Sequence, residues 1–475
     1  MGNVKAGPRP RGGTMGREIT EPQRTWLAGE LDAWRDSGVV TDDQVRAVLA
    51  LYATPEEAGD LRRSRGQVTL LALAATMVGM GVLLLVGYNW EAMPPGLKVA
   101  AVFASVVAAH SAGMLVRYRL GLRGFSEAAF LLGCLLFGAG IWLIAQIFHV
   151  NAGGADGYWW WALGVLPLAM VLETLVLHTL LVGLLALWAG FEIFGADGLA
   201  TWLFGRLPVP HGAYSLPVLA APGLVWAYRK RSERAVALYV PLLAWWVVLQ
   251  PFAWRLEANP VYFVGAVGGL LLLAAEAHRD GSAMAIPYRF YGAAMVAGAL
   301  VPLSYYQFNI WSRSGNSNAG LQALYLTCAT VVMAGAVVGV VAVVRRRTRR
   351  EAVPPAREVW EVARRQWLPC GMIAVMAALG FWNALTTEAL VPTLVANAGM
   401  VVLAFWLVQV GLREDRGKPF AAGVAYFLFW AVLRYIDLFG AFGGMLGAAL
   451  VFFLCGATLF GVAIYWRNRK AVPHA

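Results

Sequence analysis

The chain has 475 residues, of which 59% are hydrophobic and only 14% charged, and its formal net charge is +11 at pH 7. This composition excludes an ordinary soluble domain, because such domains carry about 25% charged residues. Nearly all of the 38 Lys and Arg residues lie in alternate gaps between apolar segments. The basicity is therefore typical of membrane topology and does not indicate a nucleic-acid partner.

The polar N-terminus comes before every apolar segment. Residues 1–20 are rich in Gly, Pro and Arg, and this composition predicts disorder. Residues 21–66 predict a cytoplasmic αα-hairpin followed by a linker. Leu27, Leu31 and Trp34 recur at the spacing of one helix face, which predicts the first helix of the hairpin.

The second helix of the hairpin has a clear start signal. Gly38 is suited to end the first helix, and Thr41-Asp42-Asp43-Gln44 has the pattern of a capping box. About 30 residues are too few for an independent core. We therefore expect the hairpin to pack on the membrane domain or on a protein partner.

Fourteen apolar segments of membrane-spanning length follow, since about 20 apolar residues cross roughly 30 Å of hydrocarbon. We predict spans at 68–88, 97–116, 126–146, 158–172, 175–194, 213–228, 235–252, 260–277, 284–304, 320–344, 368–387, 389–411, 419–439 and 442–466. Leu166-Pro167, Glu173 and His178 interrupt the apolar pattern between 158 and 228. The sequence thus predicts an all-α, polytopic transmembrane bundle of twelve to fourteen spans.

The basic residues predict an orientation for this bundle. The gaps assigned to the outer side hold only Lys98, Arg206, Arg255 and Arg313. Because basic loops are retained on the cytoplasmic side, an even number of spans places both termini in the cytoplasm. Residues 467–475 then form a cytoplasmic tail.

A basic segment at 345–367 separates two groups of spans, about ten in residues 67–344 and about four in 368–466. It begins with a run of arginines and continues with alternating charged and apolar residues. This pattern fits an amphipathic helix on the inner surface or a solvated linker, and both remain open. The sequence also leaves open whether the two groups pack together.

Three motifs lie in the first third of the chain: Trp26-Leu27…Trp34…Gly38-Val39-Val40-Thr41, then Gly87-Tyr88-Asn89-Trp90-Glu91, then Ala145-Gln146-Ile147-Phe148-His149. They resemble a bacterial family of predicted membrane proteins known as domain of unknown function 2157, and the resemblance covers about residues 25–175. It implies a multi-pass protein of the bacterial cytoplasmic membrane. It implies no activity.

A polar cluster is predicted on the outer surface from Glu91, Gln146, His149 and Asp156. If the spans around them pack together, carboxylate and imidazole groups could bind a cation or act as acid and base. The neighbouring Trp and Tyr residues equally fit an interfacial aromatic belt. No two of the polar residues have the spacing of a preformed metal site, so no metal is predicted.

Ionisable residues inside predicted spans form a second group of candidates: His110, Glu192, Arg434 and Asp437. Charges at membrane depth require pairing, water or a polar neighbour. Arg434 and Asp437 lie three apart on one helix, and we expect them to contact each other or a polar neighbour. They could form a structural ion pair or line a polar cavity. Glu173 and His178 are expected at an inner turn that water can reach.

Three functions remain open on this reading. The number of spans and the intramembrane polar groups favour a transporter or flippase for a small solute or lipid. A structural or regulatory protein that docks a partner through its N-terminal hairpin is the alternative. An intramembrane enzyme with Glu91 in an outer groove is the third, although the absence of catalytic motifs favours a non-enzymatic role. No cofactor is predicted, and the oligomeric state is left open.

Overall fold

The structure is a computed structural model. It describes residues 21–49, 77, 93–149, 154–195, 212–278, 282–312, 318–348, 360, 364, 366–414, 416–441, 453 and 456. Outside the described residues lie both chain ends, nearly all of the predicted spans 68–88 and 442–466, Glu91, and most of the 345–367 segment. Every regular element within the described ranges is helical, as the composition predicts.

We number the α-helices in chain order. They are α1 Glu21–Asp36, α2 Asp42–Leu49, α3 Pro95–Tyr118, α4 Arg123–Ile147, α5 Gly154–Leu172, α6 Leu175–Phe194, α7 Leu216–Arg229, α8 Glu233–Ala253, α9 Pro260–Ala274, α10 Ile286–Leu303, α11 Tyr306–Trp311, α12 Ala319–Thr348, α13 Trp367–Leu385, α14 Leu390–Arg413 and α15 Gly417–Ala441. Two short 3-10 helices, Ala275–Ala277 and Ala283–Ala285, lie between α9 and α10.

The chain divides into two compact units between Lys98 and Val99. In the first, α1 ends where Gly38 adopts a φ of +76°, a conformation that glycine adopts without strain. The predicted cap of α2 is present, because the Thr41 N–H donates to Gln44 Oε1 at 2.9 Å and the Gln44 N–H donates to Thr41 Oγ1 at 3.4 Å. The pairing of these helices as a hairpin stays a prediction.

Nine helices among the described residues are long and apolar enough to cross a membrane: α3, α4, α6, α8, α9 with its 3-10 extension, α10 with its 3-10 start, α12, α13 and α14. Each overlaps a predicted span. The predicted spans 158–172, 213–228 and 419–439 are also helical, as α5, α7 and α15. With 14 residues, α7 is about 21 Å long and too short to cross the hydrocarbon as a straight helix.

One apolar core contains residues of the five helices α4, α5, α6, α7 and α8. Where α4 and α5 meet, aromatic rings pack directly against glycines. Trp161 of α5 lies against Gly138 of α4 so closely that a Cβ at Gly138 would approach the indole ring within 2.1 Å. From this position the Trp161 Nε1–H donates to the Cys134 carbonyl at 2.8 Å. The glycine thus allows both the close approach and the hydrogen bond.

A second core joins α9, α10, α13, α14 and α15. Met376 of α13 packs against Gly265 of α9, and α9 meets α10 where Gly268 lies against Gly292. The helices after the basic segment therefore pack on helices that precede it. This answers a question that the sequence left open.

The described helices of the second unit have one basic end. There Lys230 pairs with Glu173 at 2.7 Å, and Arg289 contacts Glu276 at 3.6 Å. Glu414 is a second partner of Arg289. These pairs lie at helix ends assigned to the cytoplasmic side from sequence, and we call this region the basic end. We call the other the opposite end.

Candidate functional site

The helical path is broken at the opposite end, between α10 and α11. α10 ends at Leu303, Ser304 is fully buried, and α11 begins at Tyr306. A break of this kind frees backbone carbonyls that need hydrogen-bond donors inside the membrane. The donors come from side chains on three other stretches of helix.

Asn309 of α11 is the first donor, and it is also fully buried. Its Nδ2 lies 2.7 Å from the Leu303 carbonyl, 3.1 Å from the Tyr305 carbonyl and 2.9 Å from Thr393 Oγ1. Its Oδ1 accepts from the Tyr262 hydroxyl of α9 at 3.2 Å. One amide thereby links α9, α11 and α14 around the break.

Asn397 of α14 is the second donor. Its Nδ2 donates to the Ser304 carbonyl at 3.0 Å, and its Oδ1 accepts from Trp430 Nε1 at 2.9 Å. Trp430 belongs to α15, so the network reaches a further helix. Buried polar groups that are satisfied in this way hold a single arrangement of the surrounding helices.

Arg434 of α15 is the third donor. Its Nη1 donates to Asp437 Oδ2 at 2.8 Å and to the Ser304 carbonyl at 3.2 Å, and its Nη2 donates to Ser304 Oγ at 3.3 Å. The guanidinium carbon lies 4.8 Å from the centre of the Tyr305 ring. Arg434 and Asp437 are therefore in contact with each other, and Arg434 also contacts the buried Ser304.

A cleft adjoins this network between α9, α12 and α13. Its cavity volume is about 20 Å³, roughly the space of one water molecule. Its residues are mostly small or apolar, with a few hydroxyl and amide groups: Ala258, Asn259, Tyr262, Phe263, Ala266, Ala323, Leu326, Thr327, Thr330, Met376, Ala377 and Gly380. Tyr262 lines the cleft and bonds to Asn309, which makes the cleft and the network contiguous.

The cleft runs from the opposite end toward the middle of the helices. On α9 it extends from Asn259 to Ala266, which is about 10 Å along the axis. On α12 it reaches Thr330, about 16 Å from the first residue of the helix. Near the mouth, Asn259 Nδ2 donates to Ser312 Oγ at 2.8 Å.

The structure gives a partial view of the predicted outer cluster. Glu91 lies outside the described residues, so its expected proximity to His149 stays a prediction. Gln146 and His149 are exposed at the end of α4, and Asp156 is in the first turn of α5. Trp142 contacts Tyr158 at 5.0 Å between ring centres, which brings these two helix ends together.

Glu192 and His110 lie in packed helix faces. Glu192 is 2% exposed near the end of α6. Tyr158 stacks on Phe191, so the neighbouring Glu192 lies at the same end of the bundle as Asp156. His110 of α3 faces Gly133 of α4, and its Nδ1 finds no hydrogen-bond partner among the described residues.

The expectation that water reaches both Glu173 and His178 is wrong for His178. Glu173 is exposed, but His178 is fully buried within α6. Its Nδ1 lies 2.6 Å from the Tyr239 hydroxyl, and its ring stacks on Trp226 with 3.9 Å between centres. The sequence reading placed it one turn from the loop, and the close packing of α6, α7 and α8 at that level excludes solvent.

A second polar group links helix ends at the basic end. His278 Nδ1 lies 3.1 Å from the Ala275 carbonyl, so this nitrogen carries the proton and Nε2 accepts from the Tyr228 hydroxyl at 3.0 Å. The Tyr228 oxygen in turn lies 2.7 Å from the Tyr288 hydroxyl. Burial lowers the pKa of His278, and the nearby Arg289 lowers it further.

Sequence reasoning missed most of the network at the helix break. Ser304, Asn309, Thr393 and Asn397 carry no charge, and the candidates inside the predicted spans are all ionisable residues. Asn397 nevertheless gave a signal, because it is an amide in the middle of a long apolar segment. Among the described residues, no group of His, Cys, Asp or Glu side chains is placed to hold a metal ion.

Together, the apolar helices and their buried polar contacts define a multi-pass membrane protein. Residues 32–178 match the family described as predicted membrane protein (DUF2157), in the region where the motifs resemble it. The chain matches no curated protein and no solved structure.

Proposed function

We propose that the protein is a transporter or flippase for a small solute or lipid in the bacterial cytoplasmic membrane, with both termini in the cytoplasm. The observation that carries this proposal is the small cleft between α9, α12 and α13, because its lining residues extend from the opposite end of the bundle to mid-helix depth. Ligand sites in membrane transporters commonly lie near the midplane beside broken helices.

The contact between the cleft and the helix break supports the same proposal. Tyr262 forms part of the cleft wall and donates to Asn309, which in turn holds the carbonyls at the end of α10. A ligand that displaces the Tyr262 ring would therefore disturb the break. This arrangement provides a physical route from binding to movement of helices.

The cleft residues on α12 allow a matched test. Thr327 lines the cleft, whereas Val332 on the same helix is 70% exposed on another face. Thr327→Trp fills the cleft, and Val332→Trp places the same side chain outside it. Both variants and the wild-type protein are reconstituted in vesicles of phosphatidylethanolamine and phosphatidylglycerol.

Two probes cover the two ligand classes. Fluorescent NBD-phosphatidylethanolamine reports lipid movement through its reduction by external dithionite. An entrapped small-metabolite extract of bacterial cells, followed by mass spectrometry, reports the loss of individual solutes. We expect protein-dependent movement of one probe, and we expect Thr327→Trp to abolish it while Val332→Trp retains it. Movement of neither probe, or equal movement in both variants, contradicts the proposal.

A partner-docking role is the second candidate, and exposed apolar residues on α1 and in the turn between α1 and α2 favour it. Trp26 is 65% exposed and Val39 is 71% exposed, although Leu31 and Val45 are buried. Exposed apolar side chains that form one patch are typical of contact surfaces, and we propose that these two belong to such a patch. Removal of residues 1–55 distinguishes the roles: a transporter retains vesicle activity without them, whereas a docking protein keeps its fold and loses its cellular phenotype.

A further inference from the structure

The surroundings of the Arg434 guanidinium combine three features that bind organic cations. The Asp437 carboxylate supplies an opposite charge at 2.8 Å. The Ser304 carbonyl and hydroxyl supply acceptors at the C-terminal end of α10, where the helix dipole is negative. The Tyr305 ring supplies a π face at 4.8 Å from the guanidinium carbon. We call these groups, on Ser304, Tyr305 and Asp437, the cation receptor.

The fit of Arg434 to this receptor is incomplete. Its Nε is buried and has no hydrogen-bond partner among the described residues. A buried donor without an acceptor reduces the net gain from the interaction. A free cation that is not constrained by a side-chain tether can choose an orientation without this loss.

The receptor is also accessible from one side. The Arg434 side chain is only 14% exposed, but the Asp437 side chain is 46% exposed. A solute that arrives at the opposite end can therefore meet the carboxylate while Arg434 is still in place. Asp437 then exchanges one cation for another without becoming an isolated charge.

We infer that the cation receptor is a binding site closed by the protein's own guanidinium, and that free solutes with a guanidinium or primary ammonium group compete with Arg434 for it. The inference does not depend on transport, because a cation can bind here whether or not anything crosses the membrane. When a solute displaces Arg434, the Ser304 carbonyl loses one of its donors and the break between α10 and α11 loosens.

Chemical replacement of the side chain tests the inference. Arg434→Ala removes the tethered cation, and ethylguanidinium serves as the free probe. Thermal unfolding of the full-length variant in nanodiscs is followed by circular dichroism as the probe is titrated into the millimolar range. We expect a saturable rise of several degrees in the midpoint. Arg255→Ala, at an exposed arginine of the opposite end, is the matched control and should show no such rise.

Two further variants keep the test decisive. The double variant Arg434→Ala with Asp437→Asn should lose the rise, because the carboxylate that recognises the probe is gone. If Arg434→Ala does not fold, hydrogen exchange of residues 300–312 in the wild-type protein replaces it. Ethylguanidinium should then accelerate exchange there, and Asp437→Asn should suppress the effect.

Equal shifts in Arg434→Ala and Arg255→Ala overturn the inference, as does exchange in the wild-type protein that the probe leaves unchanged. These outcomes are independent of the vesicle experiment. Loss of lipid or solute movement with retained probe binding would contradict transport alone, and movement without probe binding would contradict the cation site alone.

Discussion

The Tyr262 hydroxyl of α9 donates to the Oδ1 atom of Asn309 in α11 at 3.2 Å. The relationship joins a wall of the cleft to the amide that satisfies the carbonyls at the end of α10. Both residues are buried, so water does not compete for this bond. The bond is therefore the direct physical link between the cleft and the broken helix.

Tyr262→Phe should destabilise the protein by about 1–3 kcal/mol, because it leaves the buried Asn309 Oδ1 without this donor. The free energy of unfolding in nanodiscs measures the effect. Tyr306→Phe, at a residue that is 49% exposed beside the break, is the control and should change it by less than about 0.5 kcal/mol. If both variants lose the same free energy of unfolding, the Tyr262 hydroxyl does not stabilise the protein through its bond to Asn309.

Gly138→Ala should destabilise the α4–α5 contact by about 1–3 kcal/mol, since the added Cβ would lie about 2 Å from the Trp161 ring. Displacing the indole also breaks its hydrogen bond to the Cys134 carbonyl. The control is Gly190→Ala in α6, where no described atom lies within 4 Å of the new Cβ. The same unfolding measurement should find that variant neutral or slightly stabilised.

Arg289→Met should destabilise the basic end by about 2 kcal/mol, which lies between the values for exposed and buried ion pairs. Arg289 contacts both Glu276 and Glu414, and the Glu276 side chain is only 10% exposed. Arg416→Met tests the specificity, because Arg416 is more exposed and contacts Glu414 alone in this cluster, at 3.4 Å. If Arg416→Met lowers the free energy of unfolding as much as Arg289→Met does, the stabilising role of the buried Glu276 carboxylate is contradicted.

His278 should make stability depend on pH. Burial lowers its pKa in the folded protein below the ordinary value of 6.5. Below about pH 6.5 the unfolded chain therefore binds more protons at this histidine than the folded protein does. As the pH falls, the free energy of unfolding decreases by at most about 1.4 kcal/mol per pH unit. Above that pH the contribution of His278 to the free energy of unfolding no longer changes with pH.

His278→Gln isolates this contribution, because the buried His178 and the other histidines remain in place. We expect the unfolding midpoint of the variant to fall less steeply than that of the wild-type protein between neutral and mildly acidic pH. The nearby charges of Arg289 and Glu276 are retained in both proteins. If the unfolding midpoints of the variant and of the wild-type protein change equally with pH, His278 does not take up a proton on unfolding.

The membrane-spanning helices could be predicted from sequence because hydropathy and helix length are local properties. The predicted span 175–194 coincides with α6, and 260–277 with α9 and its extension. Breaks within apolar regions were harder to predict. The short α7 contains Pro222 and lies within a continuous apolar segment, so hydropathy could not separate it from a full span.

The contact of Arg434 with Asp437 follows from their spacing of three residues, which places both on one helix face. Their further contact with Ser304 could not be predicted, because it joins residues 130 positions apart in the chain. The same holds for the buried state of His178, which depends on Trp226 and Tyr239 from two other helices. Local patterns fix helix faces, and only the packing determines which faces meet.

The most direct test of the account is a lipid-nanodisc structure inspected around Tyr262, Thr327 and Thr330. The account predicts that the cleft stays open from the opposite end to mid-helix and contains water or ligand density against the Tyr262 ring, while the Tyr262 hydroxyl stays bonded to Asn309. A closed contact in which α12 packs tightly on α9 and α13, with no density between them, would contradict it. That result would favour a structural or partner-docking role.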